Sequence, residues 1–375
     1  MDVDLTDEKR FLQETARKFL EQAAPVSALR QAALAGAPPL TREFWTQATG
    51  LGFAALLTPE HYGGAGTEQP LLDLVVVAGE MGRQLAPGPL LPVSVVTDAL
   101  LAAGTPDQQR QYLPGLADGS RLITWAAGEP GEVWEPAQAQ TTARRDGREF
   151  VLTGHKIAVE AADLADEFLV TARAAEGVAQ FLIPRDQPGL EIRLQPRYDL
   201  ARIFGDLDLR EVRVPAEALV GEPGGIGAVL EHQYQLALCL QAAETAALLE
   251  RIFEETISYL RTRYAFGRTL ASYQALKHRI ADHKLWLEAA LGISTALTHA
   301  LAAGDPGSAR LASAAKAHIG DQAVTIISDC SQLFGGIAQT WEHDMHLYLR
   351  RATANKFVYG SPAQHRDRLC RLSGL

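Results

Sequence analysis

Apolar residues recur at helical spacing through the first third of the chain. A helix is predicted over residues 6–23, with Thr6 and Asp7 placed to cap its start, because its apolar residues fall on one face. Those residues are Phe11, Leu12, Ala16, Phe19 and Leu20. Similar patterns predict helices over residues 42–51, 71–85, 94–103 and 106–116, separated by loops rich in Pro and Gly.

The pattern changes in the middle of the chain. Short β-rich runs bounded by Gly, Pro and Asp predict strands over residues 149–153, 167–172, 179–183 and 207–214, with the spacing of a small sandwich or barrel. After Gly224 long Ala- and Leu-rich patterns return. They predict helices over residues 226–263, 272–303, 308–334 and 345–359.

This order predicts an α+β multidomain protein. We expect a helical domain over residues 1–118, a middle β domain over 119–224 and a helical bundle over 225–375. A chain of 375 residues, 47% of them hydrophobic, can form more than one core. A Rossmann nucleotide site is not expected, because no G-x-G-x-x-G follows a strand.

Charge and cysteine content limit the function classes. A net charge of -10 argues against nucleic acid as a partner. The three cysteines form no Cys/His cluster, so neither disulfides nor a metal site is expected. Residues 1–12 are charged, and no apolar run reaches the roughly 18 residues of a membrane span, so a cytoplasmic protein without membrane contact is predicted.

Three segments carry a family resemblance: Pro59-Glu60-His61-Tyr62-Gly63-Gly64-Ala65-Gly66, Arg263-Tyr264-Ala265-Phe266-Gly267-Arg268 and Gln332-Leu333-Phe334-Gly335-Gly336. Each alone is weak, because a Gly-Gly loop is usually only a turn. Together, in order and over nearly the whole chain, they resemble the acyl-CoA dehydrogenase family. The resemblance implies a helical amino-terminal domain, a middle β domain that covers a flavin, and a carboxyl-terminal four-helix bundle that forms dimers and tetramers.

The resemblance also implies that FAD lies between subunits. The middle domain would hold the flavin ring, and a neighbour's two motifs would hold the pyrophosphate and adenosine end. The matching positions here are Arg263, Phe266, Gln332, Gly335 and Gly336, with Gln274 as a weaker candidate. Arginine can bind a pyrophosphate bidentately, and glycines let backbone amides approach it. Without this context, Arg263 would be an ordinary helix-end cation.

Family enzymes remove an α-proton from an acyl thioester with a glutamate while the β-hydrogen leaves as hydride to the flavin. In much of the family that glutamate follows the last long helix, where this sequence has Tyr359. A tyrosine is almost wholly protonated at neutral pH and cannot simply replace it. The family's alternative position, on the first long bundle helix, is Ala237. Glu244, two turns further on, and then Glu231 are weaker surrogates.

The predicted flavin surroundings also depart from the family. Gly128, in the loop over residues 128–135, replaces a threonine that hydrogen-bonds the flavin, Ala158 replaces a shielding tryptophan, and Glu160 replaces a threonine near N5. Trp125 stands where an aromatic residue is usual and is a candidate cofactor contact, although a buried tryptophan in a β domain is more often core.

Other polar residues have simpler interpretations. His343 and His346 resemble a helix start rather than a metal site, with Asp344 as its cap. Arg350 and Arg351, on the last bundle helix, are candidates for an ion pair or for a CoA contact.

Three hypotheses remain open from the sequence. The chain is a catalytic acyl-CoA dehydrogenase with a divergent base, a base-less subunit that completes the FAD site of a catalytic paralogue in a hetero-oligomer, or a non-redox binding or scaffold protein. The second resembles heteromeric actinobacterial members that act on bulky CoA thioesters, including sterol side chains. Electron-transfer flavoprotein is a further partner that the family implies.

Overall fold

The computed structural model describes residues 5–131 and 134–375, so that part of the 1–12 segment and Glu132 and Val133 lie outside the described residues. Thr6 accepts a hydrogen bond from the Lys9 backbone N–H and caps the first helix, as predicted. A second helix, after Pro25, was not predicted, because only Leu29 in it is buried. The amino-terminal helices are α1 (Asp7–Ala23), α2 (Val26–Leu34), α3 (Arg42–Gly50), α4 (Pro70–Arg83), α5 (Leu90–Ala103) and α6 (Pro106–Asp118).

The middle of the chain forms one mixed sheet. Its strands are β1 (Ile123–Ala126), β2 (Thr142–Asp146), β3 (Glu149–Glu160), β4 (Glu167–Ala174), β5 (Gly177–Pro184), β6 (Leu190–Leu194), β7 (Phe204–Pro215) and β8 (Leu219–Val220). Their order is β6-β7-β3-β2-β4-β5-β8, and β1 pairs with β4 in parallel. The register of β3 against β7 shifts between Lys156 and Val159, where Ala158 has a φ of 51°. Such a bulge redirects the side chains that follow it, here towards the helical bundle.

The carboxyl-terminal part is helical. A short hairpin, β9 (Tyr264–Ala265) and β10 (Arg268–Thr269), joins its first two long helices. The helices are α7 (Gly227–Thr262), α8 (Gln274–Ala302), α9 (Ser308–Phe334), α10 (Met345–Phe357) and α11 (Pro362–Leu372). Helix α7 packs against α4 and α5 as well as α8 and α9, and thereby ties the two helical parts together.

Three features of the carboxyl-terminal part differ from the sequence prediction. Helix α8 is long and apolar enough by composition to cross a membrane, although it packs along α7 and α9 with a third of its most apolar window buried. The last predicted helix stops at Phe357 instead of reaching Tyr359, because Tyr359 and Gly360 both have positive φ. Ser361 then caps α11, a polar helix that the apolar pattern did not reveal. The predicted α+β class, with helical parts on either side of a β domain, is confirmed.

Candidate functional site

The two glycine-containing motifs of the carboxyl-terminal half lie at one end of the bundle. Tyr259, near the end of α7, stacks on Phe334 at the end of α9, with 4.3 Å between ring centroids. Its hydroxyl also donates to the Phe334 carbonyl, 3.2 Å away. This contact places Arg263, which follows α7, at the same end of the bundle as Gly335, which follows α9.

The hairpin that follows Arg263 is stabilised by Tyr273. The Tyr273 hydroxyl donates to the Ala265 carbonyl at 2.9 Å, and the Arg268 guanidinium lies 3.9 Å above the Tyr273 ring. Phe266, at the hairpin tip, is 97% exposed and has a φ of 52°. Gln274 begins α8 directly after Tyr273, so it joins the same end of the bundle.

These predicted cofactor residues share one property: in the single chain they face solvent. Arg263, Phe266, Gln274, Gln332 and Gly336 are exposed, and Gly335 is partly exposed. A side-chain carbon added at Gly335 or Gly336 would meet no atom of this chain within 4 Å, so the backbone there is open to approach. The surface therefore has a guanidinium, an aromatic ring and accessible backbone side by side, which suits a phosphate-containing ligand.

The predicted base position is buried and aromatic. Tyr359 stacks on Trp125, with 5.6 Å between ring centroids and 29° between ring planes. Trp134 meets the Tyr359 ring edge-on at 5.9 Å. Burial, followed by the nearby Glu160 carboxylate, raises the pKa of Tyr359, so the phenol stays protonated. Tyr359 cannot act as a general base there.

The backbone of Tyr359 is fixed by donors from two helices. Its φ is 65°, and its carbonyl accepts hydrogen bonds from the Tyr234 hydroxyl and from His365 Nε2, each at 2.8 Å. Burial lowers the pKa of His365 to about 4, so the ring is neutral and carries its proton on Nε2. A side-chain carbon at Gly360 would lie 2.7 Å from His365 Nε2, so only glycine fits beside this ring.

Lys316 holds the end of α10. Its ammonium donates to the carbonyls of Asn355 and Val358 and to Gln241 Oε1, with 2.6 Å to the Val358 oxygen. Burial lowers the pKa of Lys316. Three oxygen acceptors nevertheless favour the ammonium, the only form with three N–H donors. This contact and the two bonds to Tyr359 fix the turn where the predicted helix ends early.

Trp134 occupies the space beside Gly128. A side-chain carbon added at Gly128 would lie 2.6 Å from the Trp134 ring, so the ring can occupy this position because residue 128 is a glycine. The loop is anchored to β3 by the Ile157 N–H, which donates to the Gly128 carbonyl at 2.9 Å, and by the buried Lys156–Glu129 pair at 2.6 Å. The aromatic side chain of Trp134 thus fills the space beside Gly128.

Replacing Gly128 with Thr, the family's residue, is expected to destabilise the fold by about 1 to 3 kcal/mol, because the added carbons overlap the Trp134 ring. Urea denaturation measures the change. Gly227→Ala is the control, since its added carbon meets nothing within 4 Å. The double variant Gly128→Thr, Trp134→Ala should lose less stability than the sum of its parts; strict additivity would exclude this contact as the cause.

A buried cluster of charged side chains lies beyond the aromatic residues. Arg202 donates to Glu244 Oε2 at 2.6 Å and to Asn355 Oδ1 at 3.2 Å. Arg351, which is fully buried, donates to Glu244 Oε1 at 2.6 Å and to Asp199. Burial would raise the pKa of Glu244, but Arg202 and Arg351 hold it below its ordinary value. Glu244 is therefore an ionised partner of two arginines, not a poised base.

Glu160 also contacts this cluster. One of its carboxylate oxygens lies 3.1 Å from Arg202 Nε, although that N–H is not aligned for a hydrogen bond. Burial raises the pKa of Glu160 to about 7, with Arg202 opposing the shift and Glu244 adding to it. A cavity of about 300 Å³ lies at Ala158 and is also lined by Arg202, Phe204 and Phe357.

Other sequence candidates have structural roles. Ala237 is fully buried within α7 and has no titratable group. Arg368 Nη2 donates to both carboxylate oxygens of Glu231, at 2.5 and 2.7 Å. Asp344 stands at the start of α10 but makes no capping hydrogen bond, because its carboxylate pairs with Arg30 at 2.6 Å.

Near the start of α10 the predicted capping acceptor was therefore wrong. His343 Nδ1 accepts from the Met345 N–H at 3.1 Å instead.

No cluster of metal-binding side chains, involving His346 or any other residue, occurs in the part of the chain that the structure describes. Arg350 donates to the Tyr198 carbonyl at 3.2 Å, and its guanidinium lies 5.5 Å from the Tyr198 ring centre.

No further ring fits between Trp125 and Tyr359, near the position that the resemblance assigns to a flavin ring. A ring inserted between two others needs about 7 Å, twice a contact distance of about 3.5 Å. Trp125 and Tyr359 lie closer than that, and Trp134 closes the side at Gly128. Among the described residues, the Trp125 indole N–H has no acceptor, which is the one sign of a missing group here. An acceptor as small as a water would satisfy it.

Sequence models of the three parts of one family match this chain. The acyl-CoA dehydrogenase amino-terminal domain matches residues 6–120, the middle domain residues 124–202, and the carboxyl-terminal domain residues 229–372. Acyl-CoA dehydrogenase IpdE2 of Mycobacterium tuberculosis is 32% identical over 364 residues, covering 97% of this chain and 96% of the relative.

Solved structures agree with these matches. The Tcur3481–Tcur3483 steroid acyl-CoA dehydrogenase is similar with a TM-score of 0.87 and 29% identity, covering 98% of both chains. Butyryl-CoA dehydrogenase from Megasphaera elsdenii has a TM-score of 0.91 over 100% of both chains, at 22% identity. The chain belongs to the acyl-CoA dehydrogenase family of flavoprotein oxidoreductases.

Proposed function

We propose that this chain is the base-less subunit of a hetero-oligomeric acyl-CoA dehydrogenase. A catalytic paralogue would hold the flavin ring in its middle domain and carry the glutamate base. This chain would supply the exposed end of its bundle to that paralogue's FAD. The oligomer would desaturate an acyl-CoA thioester between the α and β carbons and pass the electrons to an electron-transfer flavoprotein.

This proposal rests on the residue that occupies the chain's own predicted base position. Tyr359 stands where the family places its glutamate, keeps its proton, and stacks directly on Trp125. The alternative base position is the buried Ala237. A chain without a base, whose base position is instead packed with aromatic rings, lacks the group that removes the α-proton within its own domains.

The opposite end of the bundle supports a role towards a neighbour. The side chains of Arg263 and Gln332 and the backbone of Gly336 are exposed, and Gly335 is partly exposed. FAD, when bound by the paralogue, accepts the β-hydrogen as hydride. In the shared site Arg263 would hold the pyrophosphate bidentately, the open backbone of Gly335 and Gly336 would approach it, and Phe266 would shield it from water.

The two other hypotheses have less support. A catalytic homo-oligomer would need a base, and Glu244 is occupied by two arginines that lower its pKa. A protein without any redox role would have no reason to keep Arg263 and the Gly335–Gly336 pair exposed together. The substrate we propose is an acyl-CoA with a bulky side chain, since IpdE2 and a steroid acyl-CoA dehydrogenase are among the relatives.

The test is flavin content with and without a paralogue that has a glutamate where this chain has Tyr359 or Ala237. Purified alone, the chain should show no stoichiometric flavin absorbance. Co-purified with such a paralogue, it should form a yellow complex that acyl-CoA bleaches. Stoichiometric, bleachable flavin in the chain alone would contradict the proposal.

A restoration variant makes the test sharper. Tyr359→Glu, expressed alone, should remain without flavin and without activity, because Trp134 and Glu160 still occupy the surroundings of the ring position. Activity with an artificial electron acceptor would show instead that the chain's own site is complete except for its base.

A further inference from the structure

A buried group of five charged side chains joins the middle domain to the bundle. Glu160 ends β3, and Asp199 and Arg202 lie in the connection between β6 and β7. Glu244 lies on α7 and Arg351 on α10. All five are buried, so their charges must be balanced mainly by one another.

The charges in this group do not balance. Glu160, Asp199 and Glu244 are three carboxyl groups, whereas Arg202 and Arg351 are two guanidinium groups. With every group ionised, these five groups would carry one excess negative charge out of water. The hydrogen bonds found for the buried Lys316 nearby go to Gln241, Asn355 and Val358, and none goes to the three carboxyl groups. Burying an excess charge is costly, and the usual outcome is that one group takes up a proton.

Hydrogen bonding indicates which carboxyl group takes up a proton most readily. Glu244 accepts from both arginines, and Asp199 accepts from Arg351 and from the Ala201 backbone N–H. Within residues 5–131 and 134–375, the Glu160 carboxyl group has only the unaligned 3.1 Å contact with Arg202 Nε. It is the carboxyl group that gains least from ionisation.

We propose that the proton on Glu160 locks the connection over residues 195–203 against the helical bundle, and that loss of this proton releases it. Asp199 and Arg202 in this connection line the cavity of about 300 Å³ at Ala158, together with Val358 and Phe357 from the bundle. Ionised Glu160 would compete with Glu244 for Arg202. It would also lie near the negative charge of Asp199 without an arginine of its own to balance it. Release therefore opens the cavity.

The groups that face Glu160 set the pH range. Arg202, Glu244, Arg351 and Asp199 act on it from the connection and from α7 and α10, and Tyr359 faces it from the turn after α10. The arginines stay charged and the buried phenol stays neutral, so neither changes over this range. Burial raises the pKa of Glu160 from its ordinary 4.5 to about 7.

The direction of the pH effect follows from the linkage between proton binding by Glu160 and opening of the connection. The open form releases Glu160 to water and to its ordinary pKa, so it binds the proton less tightly than the closed form. Opening is therefore favoured as pH rises from about 4.5 to about 7, by up to tenfold per pH unit, and levels off above that range.

The experiment compares amide hydrogen exchange of residues 195–203 in the full chain and in Glu160→Gln, which mimics the protonated side chain. After correction for intrinsic exchange, the ratio of wild-type to variant rates should rise between pH 5 and 7, by up to about tenfold per unit, and become constant above pH 7. Glu176→Gln, an exposed site in the turn between β4 and β5, should behave as wild type.

Two outcomes would overturn the proposal. A ratio independent of pH would show that Glu160 does not control the connection. If Glu160→Gln does not fold, the wild-type chain alone decides: corrected exchange in residues 195–203 that does not increase from pH 5 to 7, relative to the α9 helix, excludes the lock.

Discussion

Replacing Glu244 with Leu is expected to lower the free energy of unfolding by about 3 to 5 kcal/mol, the usual cost of removing one partner from a buried ionic group. Arg202 would lose its best-aligned carboxylate, and Arg351, which has no exposed surface, would keep only Asp199. Urea denaturation at pH 7 measures the loss. The control is Glu250→Leu on the same helix, whose partly exposed pair with Arg83 should contribute less than about 1 kcal/mol.

The same variant separates a structural Glu244 from a catalytic one. If Glu244 were a surrogate base, removing it would abolish activity of the oligomer while leaving stability nearly unchanged. We expect the reverse order of effects: a large loss of stability, with activity lost only as the chain unfolds. A folded, stable and inactive complex would restore the hypothesis of a divergent base.

Elements set by a local apolar period could be predicted from the sequence. Helix α9 has the predicted bounds, and β7 was found with its ends a few residues short. Helix α11 was missed because its buried residues are few and polar, including His365 and Arg368. Its position depends on contacts such as that of Arg368 with Glu231, 137 residues away in the chain, and no local pattern contains such a contact.

The candidate site also combines residues that the sequence could predict with contacts that it could not. The family motifs identified Arg263 and Gly335, and the fold brings them to one end of the bundle. Tyr359 was identified by counting, but its stack on Trp125 depends on a turn held by Lys316 and His365 from other helices. Trp134 lies in the same loop as Gly128, and the signal for their contact in the sequence is a bulky aromatic residue close to a glycine.

The charged cluster was beyond sequence reasoning. Arg202 and Asp199 lie in an irregular connection without a motif that we recognised, and their partners are on α7 and α10. The sequence offered two signs: Glu160, a carboxylate next to buried residues of β3, and Arg351, a candidate for an ion pair, which it forms with Asp199 and Glu244. A buried acid implies a buried cation nearby, but the sequence does not say which of its arginines that is.

Arg263→Ala in the reconstituted oligomer is expected to weaken FAD binding roughly tenfold to hundredfold, the loss typical of one charge-assisted pair with a phosphate. The control is Arg261→Ala, two residues earlier in the last turn of α7, which is also exposed and cationic but lies outside the motif. Both variants remove the same charge, so a general electrostatic effect on the anionic cofactor would weaken binding equally in the two.

The measurement is FAD titration of the flavin-depleted oligomer, followed by the change in flavin fluorescence at two salt concentrations. A pyrophosphate contact at Arg263 predicts a selective loss that persists in high salt, since a bidentate pair is screened less than a distant charge. The stability of the oligomer should stay the same, because Arg263 makes no side-chain contact that the fold depends on within the described residues. Equal affinity in Arg263→Ala and wild type would place the pyrophosphate elsewhere and remove the main support for a shared FAD site.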